Sequence, residues 1–298
     1  MLADLPRICF GREALNCNES VEQLLADAQG AGQREPLERL AREIMRADYY
    51  LVPELTREGS HNCYARFFNR FETAHFLTFN YDSLVDVFLF RRGRWCPDDG
   101  YGVPVVADRD QVGQAPSESH SLVLHLHGTF CLYISDHQFV DRTGSGIEWY
   151  EGVDPPRYVF DSDSISTLFR PYRRTLPTAG YEPVERRVIA PVPDKTNGLR
   201  EHFVQRMYQR AGEILKSAEM LVAIGYGFGP ADGASYIPLL EALQHANTPR
   251  VLIVDPVASS IAARLRPYLV KTHVSALDLT LKQWVERECT LSSAGNGV

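Results

Sequence analysis

The stretch Phe76-Leu-Thr-Phe-Asn80-Tyr81-Asp82 decides the fold, because a short apolar run ends there in polar side chains. Two later stretches have the same form: Leu122-Val-Leu-His125-Leu-His127-Gly128 and Met220-Leu-Val-Ala-Ile-Gly225. Apolar runs of this length are typical of buried strands in a parallel sheet. Ligands of open α/β sheets bind beyond the carboxyl ends of such strands. The three ends therefore predict a nucleotide site with a catalytic histidine.

The rest of the chain alternates between helical and strand patterns. Apolar residues at helical spacing predict helices over 82–91, 202–216, 234–245, 257–265 and 277–288. Short apolar runs predict strands over 73–79, 103–106, 121–126, 188–191, 220–224, 251–254 and 270–274. This alternation indicates a Rossmann-like α/β fold with a doubly wound, mostly parallel sheet.

We expect a single domain over residues 1–298. Its start, 1–60, has helical spacing, and its last part, 186–298, reads as a regular nucleotide-binding α/β half. Between them, 135–185 has little periodicity but many aromatic residues, which disordered segments lack. We interpret 135–185 as a small helical or irregular insertion or lid.

Composition excludes several classes of function. With 31 Lys and Arg against 38 Asp and Glu, the net charge of −7 disfavours direct nucleic-acid binding. No apolar stretch approaches the ~18 residues of a membrane span, and the N-terminal residues do not form a secretory signal. The six cysteines form no C-x-x-C pair, so a cysteine-paired zinc site is not expected. Their scattered placement favours reduced thiols and a cytoplasmic location.

A glycine-rich segment follows the predicted strand 220–224. In Gly225-Tyr-Gly227-Phe-Gly229, the glycines would let the backbone approach a phosphate at a helix N-terminus. Asp255 ends the next predicted strand, where an acid can hold ribose hydroxyls. The alternative is a tight strand-to-helix turn that binds nothing.

Two histidines, His125 and His127, are two residues apart at the end of the predicted strand 121–126, a spacing that places both on one face of a strand. They could be half of a metal site, a buried structural pair, or a pair with one catalytic member. No second cluster of ligands accompanies them, so we expect no metal. We assign the catalytic role to His127, which is predicted to stand at the strand end beside Gly128.

Asn80 and Asp82 follow the first predicted strand. Asp82 could simply cap the helix that begins after it, because Asp is a favoured N-cap residue. The functional interpretation is that Asn80 orients a ribose or a water, and that Asp82 contacts a leaving group.

These motifs resemble those of the sirtuins. The chain has a Thr-x-Asn-x-Asp motif, a His-Gly pair, a glycine loop and a strand that ends in an acid, in the sirtuin order over about residues 70–275. The residues are Thr78 to Asp82, His127-Gly128, Gly225-Tyr-Gly227-Phe and Leu252 to Asp255. Tyr81 and the absence of a zinc ribbon make the chain more similar to the sirtuin-like, silent-information-regulator-type NAD-hydrolysing domains of prokaryotic anti-phage defence proteins than to protein deacetylases.

The resemblance implies cleavage of the nicotinamide–ribose bond of NAD. His127 would take a proton from a ribose hydroxyl or water, Asn80 would hold that ribose or water, and Asp82 would engage the nicotinamide amide. NAD would also be bound by Thr78, Gly225, Gly227 and Asp255, the last three on its adenosine half. NAD or ADP-ribose would be the ligand, and a homo-oligomer or a regulatory protein partner would restrain the activity.

Two departures from the sirtuin pattern keep alternatives open. Residues 1–30 contain no Gly-Ala-Gly-x-Ser phosphate loop, so we expect the chain to begin after that loop. Gly227 also replaces the usual Ser. One alternative is an NAD-dependent protein deacylase, and another is a non-catalytic module that senses NAD or ADP-ribose.

Overall fold

A computed structural model describes most of the chain after residue 61. The described residues are 62–97, 99–103, 105–106, 119–135, 138–142, 146–150, 157–160, 186–188, 202–247 and 249–294, with seven earlier positions: Leu24, Leu25, Asp27, Ala28, Ala31, Pro36 and Arg39. They form a mixed α/β structure that divides into two compact units. The first unit comprises 1–56 and 73–192, and the second comprises 57–72 and 193–298.

The helices and strands of the described residues are numbered here in chain order. The helices are α1 (Cys63–Arg70), α2 (Leu84–Arg91), α3 (His202–Ser217), α4 (Gly233–Leu243), α5 (Ala258–Leu265) and α6 (Leu281–Ala294). The strands are β1 (Phe76–Thr78), β2 (Val105–Val106), β3 (Val123–His125), β4 (Gly128–Ser135), β5 (Gln138–Arg142), β6 (Gly146–Tyr150), β7 (Arg157–Phe160), β8 (Arg186–Val188), β9 (Met220–Ile224), β10 (Arg250–Asp255) and β11 (His273–Asp278). Short 3-10 turns cover Pro230–Asp232 and Arg266–Tyr268.

In the first unit, β1 and β3 form a parallel pair in which Thr78 lies opposite His125. The helix α2 follows β1 and buries Val87, Phe88 and Leu89 on its inner side. Burial of such apolar side chains contributes about 1.5–3 kcal/mol each and supplies the core of this unit. The chemistry-bearing residues after β1 and β3 are thereby brought to one edge of the pair.

The region 135–185 differs from the expected helical or irregular insertion, because its described backbone is β-structure. Strands β5 and β6 pair antiparallel, and β7 joins a four-stranded sheet of order β2-β7-β4-β8. Strand β4 runs antiparallel to both β7 and β8. Sequence patterns missed these strands because each is short and mixes its apolar residues with Gln, Gly, Glu, Asp or Arg.

The second unit is built on the parallel sheet β11-β10-β9. Asp255 and Asp278 lie opposite each other at the carboxyl ends of β10 and β11. Helices α3 and α4 pack against each other, and α6 packs against α1. In the latter contact, Phe71 stacks on Trp284 with ring centroids 5.7 Å apart, and Phe67 lies 6.2 Å from Trp284. These rings extend the core that Trp284 forms with Val254.

Most predicted elements of the second unit are confirmed to within a few residues, but the strand predicted over 270–274 starts later than expected. The strand is β11, which begins at His273, and the Val270 side chain is 83% exposed. Gln244 fixes a turn before it, accepting from the Lys271 N–H at 3.1 Å and donating to the Thr272 hydroxyl at 2.7 Å. The apolar residue Val270 thus belongs to a turn that a distant helix holds.

Other expectations fall partly or wholly outside the described residues. Of the helical start, Leu24, Leu25, Asp27, Ala28, Pro36 and Arg39 are helical. Two cysteines, Cys63 and Cys96, are free thiols. Among the helices that the structure describes, none combines the length and hydropathy that crossing a membrane requires.

Candidate functional site

Asn80 stands just past the end of β1, with both of its backbone groups held by side chains. Its N–H donates to the Thr78 hydroxyl at 3.0 Å, and its carbonyl accepts from Nδ1 of His125 at 3.1 Å. The Asn80 side chain is exposed. Within the described part of the chain, no hydrogen bond engages the Asn80 side-chain amide. The residue is therefore fixed by its backbone while its amide remains available to a ligand.

Asp82 shapes the entry into α2. Its Oδ1 accepts from the Leu84 N–H at 3.1 Å. The N-cap residue of α2 is Ser83, so Asp82 supports the helix start from the position before the N-cap rather than as the cap that the sequence suggested. Burial raises the pKa of the Asp82 carboxyl above its usual range, against the lowering effect of the Leu84 hydrogen bond and of nearby His125. A raised pKa in a partly exposed acid beside Asn80 is compatible with a binding role as well.

His125 forms a buried ion pair with Asp86, a residue of α2 that the sequence patterns did not single out. Its Nε2 lies 3.0 Å from Oδ2 and 3.2 Å from Oδ1 of Asp86, and both side chains are fully buried. The Tyr101 ring lies 5.8 Å from the imidazole. Sequence offered one pointer to this pair: Asp86 is the lone acid in the otherwise apolar helix Leu84-Val-Asp-Val-Phe-Leu-Phe, where a buried charge needs a partner.

Each ring nitrogen of His125 faces a hydrogen-bond partner. Nδ1 must donate, because the Asn80 carbonyl carries no hydrogen, and Nε2 faces the Asp86 carboxyl group. Burial alone would lower the pKa of His125, but the Asp86 charge, its hydrogen bond and the Asn80 carbonyl outweigh burial and raise that pKa. The ring therefore has a structural partner on each side, as in the buried structural role left open by the sequence.

His127 lies in the turn after β3, because the strand ends at His125 rather than at 127. The His127 ring contacts Phe79 edge-on, with ring centroids 4.8 Å apart, and its side chain is 5% exposed. Gly128 then adopts φ +83°, a left-handed conformation that side chains other than glycine rarely adopt. The left-handed conformation therefore explains why a glycine follows His127. The Phe79 contact places His127 beside the turn at Asn80.

The predicted site residues fall into two groups. Thr78, Asn80, Asp82 and His127 come together at the edge of β1 and β3 in the first unit. Gly225, Gly227 and Asp255 come together at the carboxyl edge of the sheet in the second unit. Thr78 contributes to the first group through the Asn80 backbone, which is a different role from the ligand contact that the sequence suggested.

The glycine loop continues β9 for one residue and then opens. The Gly225 N–H donates to the Val254 carbonyl at 3.0 Å, and Gly225 adopts φ +62°. A Cβ built on Gly225, Gly227 or Gly229 would meet nothing within 4 Å. The backbone of this loop therefore faces open space, as it must where a phosphate or a nucleoside is to approach closely.

A cluster of aromatic rings packs around Phe228 of the glycine loop. Phe228 has φ +47°, the one positive value at a non-glycine among the described residues, and is 5% exposed. Its ring lies 4.6 Å from that of Tyr226 and 5.2 Å from that of Tyr236. Burial raises the pKa of the Tyr226 hydroxyl, which stays protonated in this apolar setting. Packing thus holds Phe228 in a conformation that costs about 1–2 kcal/mol.

Two further residues organise this edge. Arg264 of α5 donates from Nη2 to the Gly227 carbonyl. Asp278 accepts from the Ser259 N–H at 2.8 Å and from its hydroxyl at 2.6 Å, and these hydrogen bonds lower the pKa of the Asp278 carboxyl. Asp255 accepts from the Val257 N–H at 2.9 Å, so one of its oxygens already fixes the turn into α5. A ribose would have to bind the other oxygen.

Metal ligation has no support in the geometry. Across the residues that the structure describes, His, Cys, Asp and Glu side chains form no group of three or more placed to hold a metal ion. Comparison with known proteins adds no assignment: no protein-family model matches the chain, and no curated protein matches it significantly.

Proposed function

We propose that this chain is a Rossmann-like, sirtuin-like NAD glycohydrolase that cleaves the nicotinamide–ribose bond, in the setting of prokaryotic anti-phage defence. The observation that carries the proposal is the placement of Asn80: its backbone is pinned on both sides, its amide is exposed, and His127 lies beside its turn. A rigid polar group beside a histidine at the carboxyl edge of parallel strands suits the positioning of a ribose or a water.

The chemistry assigned to these residues balances without a metal or a redox partner. The bond between the nicotinamide nitrogen and ribose C1′ breaks, and its electron pair leaves with nicotinamide. Water attacks C1′ and gives a proton to His127, which leaves ADP-ribose. Because glycoside cleavage passes through an oxocarbenium-like transition state, the site needs positioning and a base more than a strong acid.

Asn80 would hold the ribose or the attacking water, and Asp82 would meet the nicotinamide amide. The Asp82 carboxyl suits this contact, because its oxygens can accept hydrogen bonds from an amide NH₂ group. Within the second unit, the open backbone of Gly225 and Gly227 and the second carboxylate oxygen of Asp255 suit the binding of a nucleotide.

A second candidate function has one observation in its favour. The His127 side chain is 5% exposed, whereas a general base must reach within hydrogen-bond distance of the proton it takes. A module that binds NAD or ADP-ribose without turnover has no such requirement. In the glycohydrolase, the His127 ring must turn away from Phe79 when NAD is bound.

One experiment separates the candidates. The purified full chain is incubated with NAD, and free nicotinamide and ADP-ribose are quantified with and without an acetyl-lysine peptide, while calorimetry measures binding of NAD and ADP-ribose. Equal release of nicotinamide and ADP-ribose without peptide supports the glycohydrolase. Release only with peptide identifies a deacylase, and binding without release identifies the sensing module. Absence of both binding and release overturns every nucleotide assignment made here.

A further inference from the structure

The Asp86–His125 pair contacts Asn80, the residue whose exposed side-chain amide is central to the proposed function. The buried carboxylate of Asp86 holds Nε2 of His125, and Nδ1 of the same ring holds the Asn80 carbonyl. The contact to Asn80 is made to the backbone, so it leaves the Asn80 side chain unused. The pair therefore links the interior of α2 to the orientation of a residue at the edge of β1.

We propose that Asp86 and His125 are positioning residues, which fix the backbone of Asn80 so that its side-chain amide points in one direction toward a ribose or a water. This inference rests on the proposed function for its catalytic consequence, but the geometric part of it stands without that function. Neither residue touches the substrate in this scheme.

Two anchors define the direction of the Asn80 side chain. The Thr78 hydroxyl holds the peptide group before Asn80, and His125 holds the peptide group after it. With both peptide planes fixed, the Cα–Cβ bond has one direction. A mobile donor would give a weaker constraint, whereas this donor is fully buried and is itself held by Asp86.

The register of the strands makes the arrangement possible. Thr78 and His125 are Cα partners across the β1–β3 pair, so the two anchors of Asn80 stand at the same level of the sheet. The Leu126 N–H also donates to the Thr78 carbonyl at 2.9 Å, which extends the pairing past the end of β3. Both anchors are therefore parts of the rigid sheet rather than of a loop.

Substitutions of His125 can remove one of its two hydrogen bonds while keeping the other. His125→Gln keeps an amide donor near the Nε2 position, facing Asp86, and loses the donor to the Asn80 carbonyl. His125→Asn keeps a donor near the Nδ1 position, facing Asn80, and is combined with Asp86→Asn so that no unpaired charge is buried. Leu89→Val is the matched control, because Leu89 is a fully buried apolar residue of the helix that carries Asp86.

The first measurement is amide hydrogen exchange over residues 80–84, which does not depend on any activity. We expect exchange at Asn80 to Leu84 to be at least about tenfold faster in His125→Gln than in Leu89→Val, measured at equal global stability, and the His125→Asn/Asp86→Asn variant to resemble the control. Equal exchange in His125→Gln and Leu89→Val overturns the positioning proposal.

The second measurement is NAD hydrolysis per folded molecule. We expect kcat to fall about 10- to 100-fold in His125→Gln with KM nearly unchanged, because a misplaced amide mainly affects the transition state. The His125→Asn/Asp86→Asn variant should recover most of kcat. Unchanged kcat in His125→Gln overturns the catalytic part. If wild type itself does not hydrolyse NAD, the proposed function fails while the exchange result still decides the geometry.

Wild-type protein gives a third test that remains if His125→Gln does not fold. A proton on Nδ1 that is bound to the Asn80 carbonyl should exchange slowly with water and give an NMR cross-peak to the backbone amide of Tyr81. A rapidly exchanging Nδ1 proton without that cross-peak overturns the proposal.

Discussion

Oδ2 of Asp86 lies 3.0 Å from Nε2 of His125, and both side chains are fully buried although 39 residues separate them in the chain. Taking two charges out of water is costly, and their attraction with good geometry offsets that cost. The stability of the first unit therefore depends on the presence of both Asp86 and His125.

Removing one partner should be far more damaging than removing an exposed ion pair. We expect Asp86→Ala to lower the free energy of unfolding by about 3–5 kcal/mol, because it leaves a buried charge unpaired. Glu213→Ala is the control: its partner Arg210 lies 2.7 Å away, but both side chains are about half exposed, so a change below about 1 kcal/mol is expected. Urea unfolding measures both, and equal losses would contradict the assignment.

Stability should fall as pH rises through the pKa of His125. This pKa is raised in the folded protein from its ordinary value of 6.5, so protonation favours the fold. The stabilisation is fully present below that ordinary value and is lost as pH rises through the raised value. The groups that face the ring are Asp86, Asp82 and Tyr101. Unfolding midpoints across this window should decline in wild type but not in His125→Gln.

His127→Ala should remove NAD cleavage and keep the fold. Loss of a general base costs on the order of a hundred- to ten-thousand-fold in rate. The His127 ring contacts Phe79 edge-on, and thermal melts of the variant show whether the fold is kept. Leu126→Val, at the buried position next to it, is the control and should keep most of kcat. Cleavage that persists in His127→Ala would remove this residue from the mechanism.

Asn80→Ala and Asp82→Ala should separate activity from stability. Asn80→Ala keeps both backbone hydrogen bonds, so the melting temperature should hold while turnover is lost. Asp82→Ala loses the bond to the Leu84 N–H and should cost about 0.5–2 kcal/mol of stability, the range for losing a side-chain hydrogen bond at a helix N-terminus. Thermal melts and NAD assays on both variants provide the comparison. A large melting drop for Asn80→Ala with residual activity per folded molecule would show that Asn80 is structural.

Two glycines of the loop should respond differently to alanine. Gly225 has φ +62°, so Gly225→Ala should cost about 1–2 kcal/mol of stability, whereas a Cβ on Gly227 meets nothing within 4 Å and should cost far less. If the loop binds NAD, Gly227→Ala should still weaken binding by filling the space a ligand needs. Calorimetry and unfolding are measured on the same samples. Unchanged NAD affinity in Gly227→Ala would place the ligand elsewhere.

The sequence predicted those helices and strands that depend on local residue patterns. Strands β9 and β10 are continuous apolar runs, and the helices between them have helical spacing, so their positions are confirmed closely. Asn80 was placed at a strand end for the same reason. His125 was not assigned its partner, because the pairing with Asp86 depends on how α2 lies against β3, which no local pattern encodes. The shifted start of β11 has a similar cause in the distant Gln244.

The end of β3 is another feature that local sequence patterns do not encode. His125 and His127 are equivalent in an alternating pattern, yet the strand stops at the first of them and a left-handed Gly128 follows the second. The backbone turns at Leu126 and His127, directly after His125. The sequence could name both histidines but could not assign one to the interior and the other to the turn.

Packing of Phe228 against Tyr226 and Tyr236 has a thermodynamic consequence for any ligand of the glycine loop. Ordering one residue of a flexible loop costs roughly 1–2 kcal/mol of conformational entropy, which a binding partner must otherwise supply. Here the aromatic rings and the hydrogen bond from Arg264 to the Gly227 carbonyl already order the loop when the chain folds. Association at this loop would therefore be governed by enthalpy and desolvation, with little entropy lost by the chain itself.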